Sequence, residues 1–143
     1  NTVECCSEFK ERYPDHDSGI FLYGDATGQA RSANSNVTNW KIIEQELQMY
    51  GIVKHVPPKN PNERDRINAV NGMIKNSKGD LRVQIHPNSK HKIRDLEQVS
   101  NREGTALIDK CKDHSLTHAS DALGYMIERE FSLNKLRYKG LKI

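Results

Sequence analysis

Residues 19–28 read Gly19-Ile20-Phe21-Leu22-Tyr23-Gly24-Asp25-Ala26-Thr27-Gly28. The apolar run Ile20–Tyr23 predicts a buried strand, and the small, glycine-bearing turn that follows ends it. Asp25 is therefore predicted at the C-terminal end of a central strand, where open α/β sheets bind their ligands. A carboxylate at that position needs a partner, and a metal ion is a common one. An aspartate before a small turn can instead cap backbone amides without any chemistry.

The composition of the 143-residue chain fits one domain of ordinary size. The mean hydropathy of −0.81 is polar for a globular protein. We find no apolar stretch long enough to span a membrane and no signal-peptide pattern, so no membrane partner is expected. Three cysteines, two of them adjacent, do not form a disulfide framework. These features predict a reducing, cytoplasmic compartment.

The charge is spread unevenly along the chain. Residues 1–50 carry a net charge of −4, residues 51–102 carry +6, and residues 103–143 carry +1. The middle segment is therefore the part expected to face a polyanion. A solvated basic surface without a partner is the alternative.

Apolar periodicity and capping residues predict strands that alternate with helices, which places the chain in the α/β class. The first two predicted helices cover residues 2–13, capped by Thr2, and residues 40–50, capped by Asn36 or Thr38 and ended by Gly51. Three more helices are predicted to begin at Asn60-Pro61, at Asn88 or Ser89, and at Ser115 or Thr117. The predicted strands cover residues 20–24, 52–56 and 81–85.

A second carboxylate, Asp121, lies one turn into the last predicted helix among small residues. It shares a helix face with His118 and Tyr125. Burying its charge is costly unless it has a partner, although the helix dipole alone can stabilise it. A carboxylate at a strand end and another on a C-terminal helix match the layout of a two-metal nuclease, in which two divalent ions activate water and stabilise the leaving oxygen. Mg²⁺ and Mn²⁺ prefer such oxygen ligands.

With these residues in view, the chain resembles the C-terminal nuclease domain of the large terminase subunit of tailed bacteriophages. The resemblance runs from about Phe9 to Phe131. Four stretches carry it: Tyr23–Gly28, Val56–Asn71 with its Val56-Pro57-Pro58-Lys59-Asn60-Pro61 start, Leu81–Pro87 with Asp95-Leu96-Glu97, and His118-Ala119-Ser120-Asp121-Ala122-Leu123-Gly124-Tyr125.

The resemblance implies a ribonuclease H-like mixed sheet flanked by helices. It also implies a Mg²⁺- or Mn²⁺-dependent endonuclease that cuts concatemeric double-stranded viral DNA during genome packaging. In that family three acids form the catalytic centre, and Asp25 resembles the second acid and Asp121 the third. The first acid lies on an opening strand, and this chain begins at the helix that follows it. We therefore expect a nuclease domain over residues 1–131 that lacks its opening strands, and a basic tail over residues 132–143.

The resemblance also implies partners and supporting residues. The expected partners are double-stranded DNA, the terminase ATPase domain, the small terminase subunit and the portal, in the cytoplasm of the bacterial host. From its place on the helix, His118 is expected either to hydrogen-bond within the helix start or to orient Asp121. The phosphate contacts are assigned to basic residues of the middle segment: Lys54, Lys59, Arg64, Arg66, Lys75 and Lys78.

Other assignments stay open. The chain could be a non-catalytic DNA-binding or assembly module of the packaging motor, or another ribonuclease H-like enzyme such as a resolvase or an integrase. His114 and His118 stand four residues apart, a spacing that can hold zinc on one helix face. Asp109 and Asp113 precede the last helix and could reach a metal site, or they could be solvated loop acids.

Overall fold

The computed structural model describes residues 1–30, 37–98 and 117–132. Within these ranges the chain forms five α-helices, two short β-strands and two 3-10 helices. The combination of helices with a parallel sheet agrees with the predicted α/β class. The chain divides into two compact units, unit 1 at Asn1–Asn60 and unit 2 at Pro61–Ile143, and each is described by itself.

Unit 1 begins with helix α1, Thr2–Arg12. Its cap is Asn1, whose side chain accepts a hydrogen bond from the Glu4 amide at 3.0 Å. The predicted cap, Thr2, was wrong by one residue, because Asn1 and Glu4 have the spacing of a capping box. The hydroxyl of Thr2 instead donates to the side chain of Asn39 at 3.1 Å.

Strands β1 (Ile20–Leu22) and β2 (Ile52–Lys54) pair in parallel, with Ile20 opposite Ile52. Both strands were predicted, but each is only three residues long. The predicted burial of the first strand was wrong, since Phe21 is 60 % exposed and its neighbours in the strand are half-buried. Within the described residues β1 pairs with one neighbouring strand and is not central, and Phe21 keeps its contact with water.

Between the strands lies helix α2, Asn39–Glu46, with Thr38 as its cap. The Thr38 hydroxyl accepts from the Lys41 amide at 3.2 Å, which confirms one of the two predicted caps. The predicted helix 40–50 is in fact α2 followed by a 3-10 helix, Gln48–Tyr50. Gly51 has a φ of 65° and turns the chain into β2, as expected of a glycine after a helix.

Unit 2 consists of helices α3 (Glu63–Ile74), α4 (Lys90–Gln98) and α5 (His118–Phe131). Its core joins Ala69, Val70 and Met73 of α3 to Ile127 of α5, which is fully buried. The predicted start of α3 at Asn60-Pro61 was wrong. Asn62 caps the helix by accepting from the Arg64 amide at 2.9 Å, and Asn60 has a different role that is described below.

The predicted strand over residues 81–85 was also wrong, since this segment is not a strand. The amides of Arg82 and Val83 both donate to the carbonyl of Met73, at 2.9 and 3.1 Å. Val83 packs against the core of unit 2, which accounts for the apolar alternation that suggested a strand. A ladder needs a neighbouring strand, and unit 2 has none among the described residues.

Several predictions fall outside the described residues: the cap candidate Asn36, the helix-start candidate Ser115, the candidate ligands Asp109, Asp113 and His114, and the tail beyond Ser132. Within the described ranges, no helix combines the length and the apolar character that crossing a membrane requires.

Candidate functional site

Asp25 begins the 3-10 helix Ala26–Gln29, which directly follows β1 in the chain. Its Oδ1 accepts from the Thr27 amide at 2.6 Å and from the side-chain amide of Asn60 at 2.7 Å. Asp25 thus caps a turn, which was the predicted alternative to a metal-binding role. It also lies beyond the C-terminal end of a strand, as the metal-ligand hypothesis predicted. Both donors are amides, and they fix the orientation of the carboxylate.

Asn60 connects the segment after β2 to the turn after β1. While its Nδ2 donates to Asp25, its Oδ1 accepts from the Ala26 amide at 2.7 Å. Sequence analysis missed this role by assigning Asn60 to the start of α3. A signal was available, because Asn60 follows β2 as Asp25 follows β1, and parallel strands bring their carboxyl ends to the same edge.

The glycines of the turn accommodate Trp40. The indole Nε1 donates to the Asp25 carbonyl at 2.9 Å. A Cβ at Gly28 would stand 2.6 Å from that Nε1, and a Cβ at Gly24 would stand 2.7 Å from the far edge of the ring. Because Gly24 and Gly28 have no side chain, Trp40 can lie against the backbone on both sides of Asp25.

Asp25 also lines an open groove of about 760 Å³ in unit 1. Most of its wall is apolar or weakly polar, and the lining includes Cys5, Cys6, Phe9, Leu22 and Trp40. Burial raises the pKa of the Cys6 thiol, so without a bound metal this cysteine is protonated at neutral pH. Among the described residues that line the groove, Asp25 is the acidic one, and Asn60 and Thr27 fix its orientation.

Asp121, in the first turn of α5, has a cationic partner in Arg66 of α3. The Arg66 Nη1 lies 2.5 Å from Asp121 Oδ1 and 3.4 Å from the main-chain oxygen of Asp121. The Arg66 side chain is 6 % exposed and that of Asp121 is 20 % exposed, so the ion pair is largely removed from water. The guanidinium also lies 4.7 Å from the centre of the Tyr125 ring. This partner satisfies the expectation that a half-buried Asp121 has a counter-charge.

The N-terminus of α5 is capped from another helix. Asp95 of α4 accepts from the amides of Ala119 and Ser120, at 2.9 and 3.1 Å, and is 4 % exposed. Thr117, the predicted cap residue, precedes the helix without capping it through its side chain. Sequence analysis missed this role of Asp95. The available signal was an acid between Ile93 and Leu96, because a charge beside the apolar face of a helix requires a buried partner.

The other predicted site residues have varied surroundings. His118 is exposed at the start of α5, and its role in orienting Asp121 stays a prediction. Lys54 is paired with Glu44 at 2.7 Å. Arg66 is buried, so its predicted contact with DNA is at odds with its position. The remaining four DNA-contact candidates have exposed side chains: Lys59, Arg64, Lys75 and Lys78.

The two candidate acids differ in how well they fit a divalent cation. Asp25 offers carboxylate oxygens, the ligand type that Mg²⁺ prefers, and the Thr27 amide and Asn60 orient them in the wall of a groove. Asp121 as arranged does not, because a buried guanidinium already balances its charge. Over residues 1–30, 37–98 and 117–132, no three His, Cys, Asp or Glu side chains are grouped closely enough to hold a metal ion.

No protein-family model, curated protein or solved structure matches this chain. The resemblance to terminase nucleases therefore stays a prediction that depends on the four stretches quoted above.

Proposed function

We propose that this chain belongs to a metal-dependent endonuclease with a ribonuclease H-like fold, which cuts concatemeric double-stranded viral DNA during genome packaging. In this proposal it works with a terminase ATPase domain, a small terminase subunit and the portal in the cytoplasm of a bacterial host. The observation that carries the proposal is the setting of Asp25, an oriented carboxylate after the end of a parallel strand and in the wall of a groove.

The chemistry of Asp25 supports a metal ligand. Mg²⁺ and Mn²⁺ favour carboxylate oxygens, and ligating carboxylates are usually fixed by outer hydrogen bonds such as those from Asn60 and Thr27. When bound, the divalent ions of a two-metal nuclease acidify the attacking water and stabilise the leaving oxygen. Asn60 restricts the carboxylate of Asp25 to one orientation. The terminase resemblance gives Asp121 a similar role in unit 2.

Exposed basic residues supply the contacts with DNA in this proposal. Lys59 lies in the segment after β2, Arg64 lies in the first turn of α3, and Lys75 and Lys78 follow the end of α3. They suit phosphate contacts, which provide affinity without sequence preference. Each lost phosphate contact is expected to reduce the slope of log K against log salt by about 0.9.

Plasmid cleavage tests the proposal. The full-length protein would be incubated with supercoiled plasmid and Mn²⁺, and wild type would be compared with Asp25→Asn. The matched control is Asp15→Asn, which changes an exposed acid of the same unit. We expect nicking that requires the metal, falls about 100-fold or more in Asp25→Asn and is unchanged in the control. Equal cleavage by Asp25→Asn and wild type would exclude Asp25 from the site.

Asp121→Asn is a less direct test of the same function. Asp121 is the partner of a buried guanidinium, so its replacement affects folding as well as any metal site. A loss of cleavage in this variant supports a catalytic role only if the thermal midpoint of unfolding stays close to that of wild type.

A non-catalytic DNA-binding or assembly module is the second candidate. The observation that favours it is the pairing of Asp121 with Arg66, which gives this acid a structural reason to be present. Fluorescence anisotropy with labelled duplex DNA in EDTA tests it without relying on cleavage. This candidate predicts salt-dependent binding that weakens in Lys75→Gln/Lys78→Gln, together with the absence of metal-dependent nicking.

A further inference from the structure

We infer that unit 2 binds the phosphate backbone of duplex DNA through residues 75–92, with Arg82, Lys90 and Lys92 as contacts that sequence analysis did not select. We call residues 75–92 the cationic segment. The choice of DNA as the polyanion rests on the proposed function. The position of the surface rests instead on which cations of the chain are left without an acidic partner.

Two of the DNA contacts that the sequence predicts already have an acidic partner. Lys54 lies 2.7 Å from Glu44, and Arg66 is 5 % exposed and bound to Asp121. A buried guanidinium cannot reach a phosphate without leaving its partner, which would strand a charge away from water. The basic excess in the middle of the chain therefore depends on other residues to meet a polyanion.

The cationic segment has five Lys or Arg side chains and one acid, a net charge of +4 with neutral histidines. The acid, Asp80, accepts from the side-chain amide of Asn76 at 2.8 Å and so belongs to a turn. Within residues 1–30, 37–98 and 117–132, no ion pair involves any of the five cations. Four of the five are exposed and the last is half-buried: Lys75, Lys78, Arg82, Lys90 and Lys92.

The fold holds this segment against the core of unit 2 at two places. The amide of Arg82 donates to the carbonyl of Met73 at 2.9 Å, and Val83 packs against the same core as Met73. Leu96 of α4, which follows the segment, also packs there. The cations on either side of Val83 are therefore carried over the outside of unit 2 by a backbone with fixed anchors.

The charges of the segment are unfavourable without an anion. The first turn of α4 has Lys90, His91 and Lys92 and no acid, although the helix dipole favours acids at that end. Exposed cations also repel one another, because salt screens them only beyond about 10 Å at 0.1 M. DNA phosphates relieve both effects, and Lys and Arg side chains commonly donate to phosphate oxygens.

Fluorescence anisotropy of labelled duplex DNA in EDTA tests this surface on the full chain. The test variant is Arg82→Gln/Lys90→Gln/Lys92→Gln. A control that removes the same number of cations from unit 1 is Lys10→Gln/Arg12→Gln/Lys41→Gln. We expect the test variant to bind about ten-fold or more weakly than wild type, with a slope of log K against log salt that is smaller by about 2–3. The control should match wild type, and equal binding by the two triple variants would overturn the inference.

A measurement on wild type keeps the inference testable if the test variant does not fold. Lysines are acetylated with a water-soluble reagent, with and without saturating duplex DNA, and the modified sites are read by mass spectrometry. DNA should protect Lys90 and Lys92 several-fold and leave the exposed Lys41 of unit 1 unchanged. Equal modification of Lys90 and Lys92 with and without DNA would overturn the inference.

A lipid surface also presents phosphates, so both triple variants are sedimented with vesicles of phosphatidylcholine and phosphatidylserine. Duplex DNA should bind in preference to the vesicles. Vesicle binding that is lost in the test variant, together with no binding of duplex DNA, would overturn the inference in favour of a membrane.

The anisotropy measurement contains no free metal, so this inference and the nuclease proposal fail separately. If the test variant loses affinity for DNA but wild type never nicks plasmid, the surface stands and the nuclease proposal fails. If wild type nicks plasmid through Asp25 but the test variant binds DNA as tightly as wild type, the nuclease proposal stands and this inference fails.

Discussion

Asp25 in unit 1 and Asp121 in unit 2 received the same predicted role, and the contacts described above give them different kinds of partner. Asp25 accepts hydrogen bonds from two neutral donors, the amide of Thr27 and the side chain of Asn60. Asp121 is bound by a guanidinium that is almost completely buried. Both carboxylates are satisfied, and the contacts described above give Asp25 two amide donors and Asp121 a guanidinium.

The difference shows that a buried carboxylate is not evidence for a metal in itself. Any acid removed from water must be compensated, and an arginine or a pair of amides can do so. In the contacts described, the two acids differ in the kind of partner that fixes them. The predictions that follow change one kind of partner at a time.

The largest expected effect is that of removing the acid from the buried pair. Asp121→Ala leaves Arg66 buried without its counter-charge, which should lower the free energy of unfolding by about 3–5 kcal/mol. Urea denaturation followed by far-UV circular dichroism measures the change, with the exposed Asp65→Ala as control. Replacing both partners, in Arg66→Met/Asp121→Leu, should recover most of the loss. A cost below about 1 kcal/mol for Asp121→Ala would mean that the pair is effectively solvated.

A second substitution disturbs the backbone around Asp25 and leaves its carboxylate intact. Gly28→Ala places a Cβ 2.6 Å from Nε1 of Trp40, so the indole must move and its bond to the Asp25 carbonyl must weaken. We expect unit 1 to lose about 1–3 kcal/mol of stability. Thermal unfolding followed by circular dichroism checks this. The smaller ring in Gly28→Ala/Trp40→Phe should make the alanine less costly than it is beside tryptophan, and equal costs would contradict the steric explanation.

Asn60→Ala removes the side chain that donates a hydrogen bond to the carboxylate of Asp25. It deletes one bond to the carboxylate and one to the Ala26 amide, for an expected loss of about 1–2 kcal/mol. Lys59→Ala, an exposed neighbour, should change stability by less than about 0.5 kcal/mol. In the nuclease proposal Asn60→Ala should also weaken Mn²⁺ binding by about ten-fold, since an outer partner of a ligand is lost. Unchanged Mn²⁺ binding would argue that Asn60 serves the fold alone.

The smallest effect is expected for an ion pair of unit 1. Lys54 and Glu44 lie 2.7 Å apart, but their side chains are 35 % and 37 % exposed. Water screens this pair, so Lys54→Gln should cost about 0–1 kcal/mol, several-fold less than the loss in Asp121→Ala. Chemical denaturation at low and high salt provides the check, and the small effect should shrink further at high salt. If Lys54→Gln lowered the free energy of unfolding as much as Asp121→Ala, burial could not explain why the two ion pairs differ.

The sequence was sufficient to predict the helices and the existence of both strands, because those features depend on local patterns. Thr38 and Gly51 mark the ends of their elements as expected. The errors arose where two local patterns competed. Asn60-Pro61 and Asn62 both resemble helix starts, and the choice depended on Asn60 being needed by Asp25. The false strand at residues 81–85 had the right alternation but no neighbouring strand in the described part of unit 2.

At the candidate site, sequence analysis selected both acids but not their partners. Arg66 was assigned to DNA because a basic residue in a basic segment is usually exposed, whereas the structure buries it against α5. Asp95 was not selected, although it caps the helix that carries Asp121. Contacts such as Arg66 to Asp121, 55 residues apart, depend on how helices pack, and periodicity within one helix does not contain that information.

Trp40 has a practical consequence. It is the only tryptophan of the chain, and its indole nitrogen donates directly to the carbonyl of Asp25. The intrinsic tryptophan fluorescence of the protein therefore originates beside the best candidate metal ligand, without any introduced label. A ligand that moves the Asp25 turn should shift or quench this emission, so the protein carries an optical reporter of events at its own candidate site.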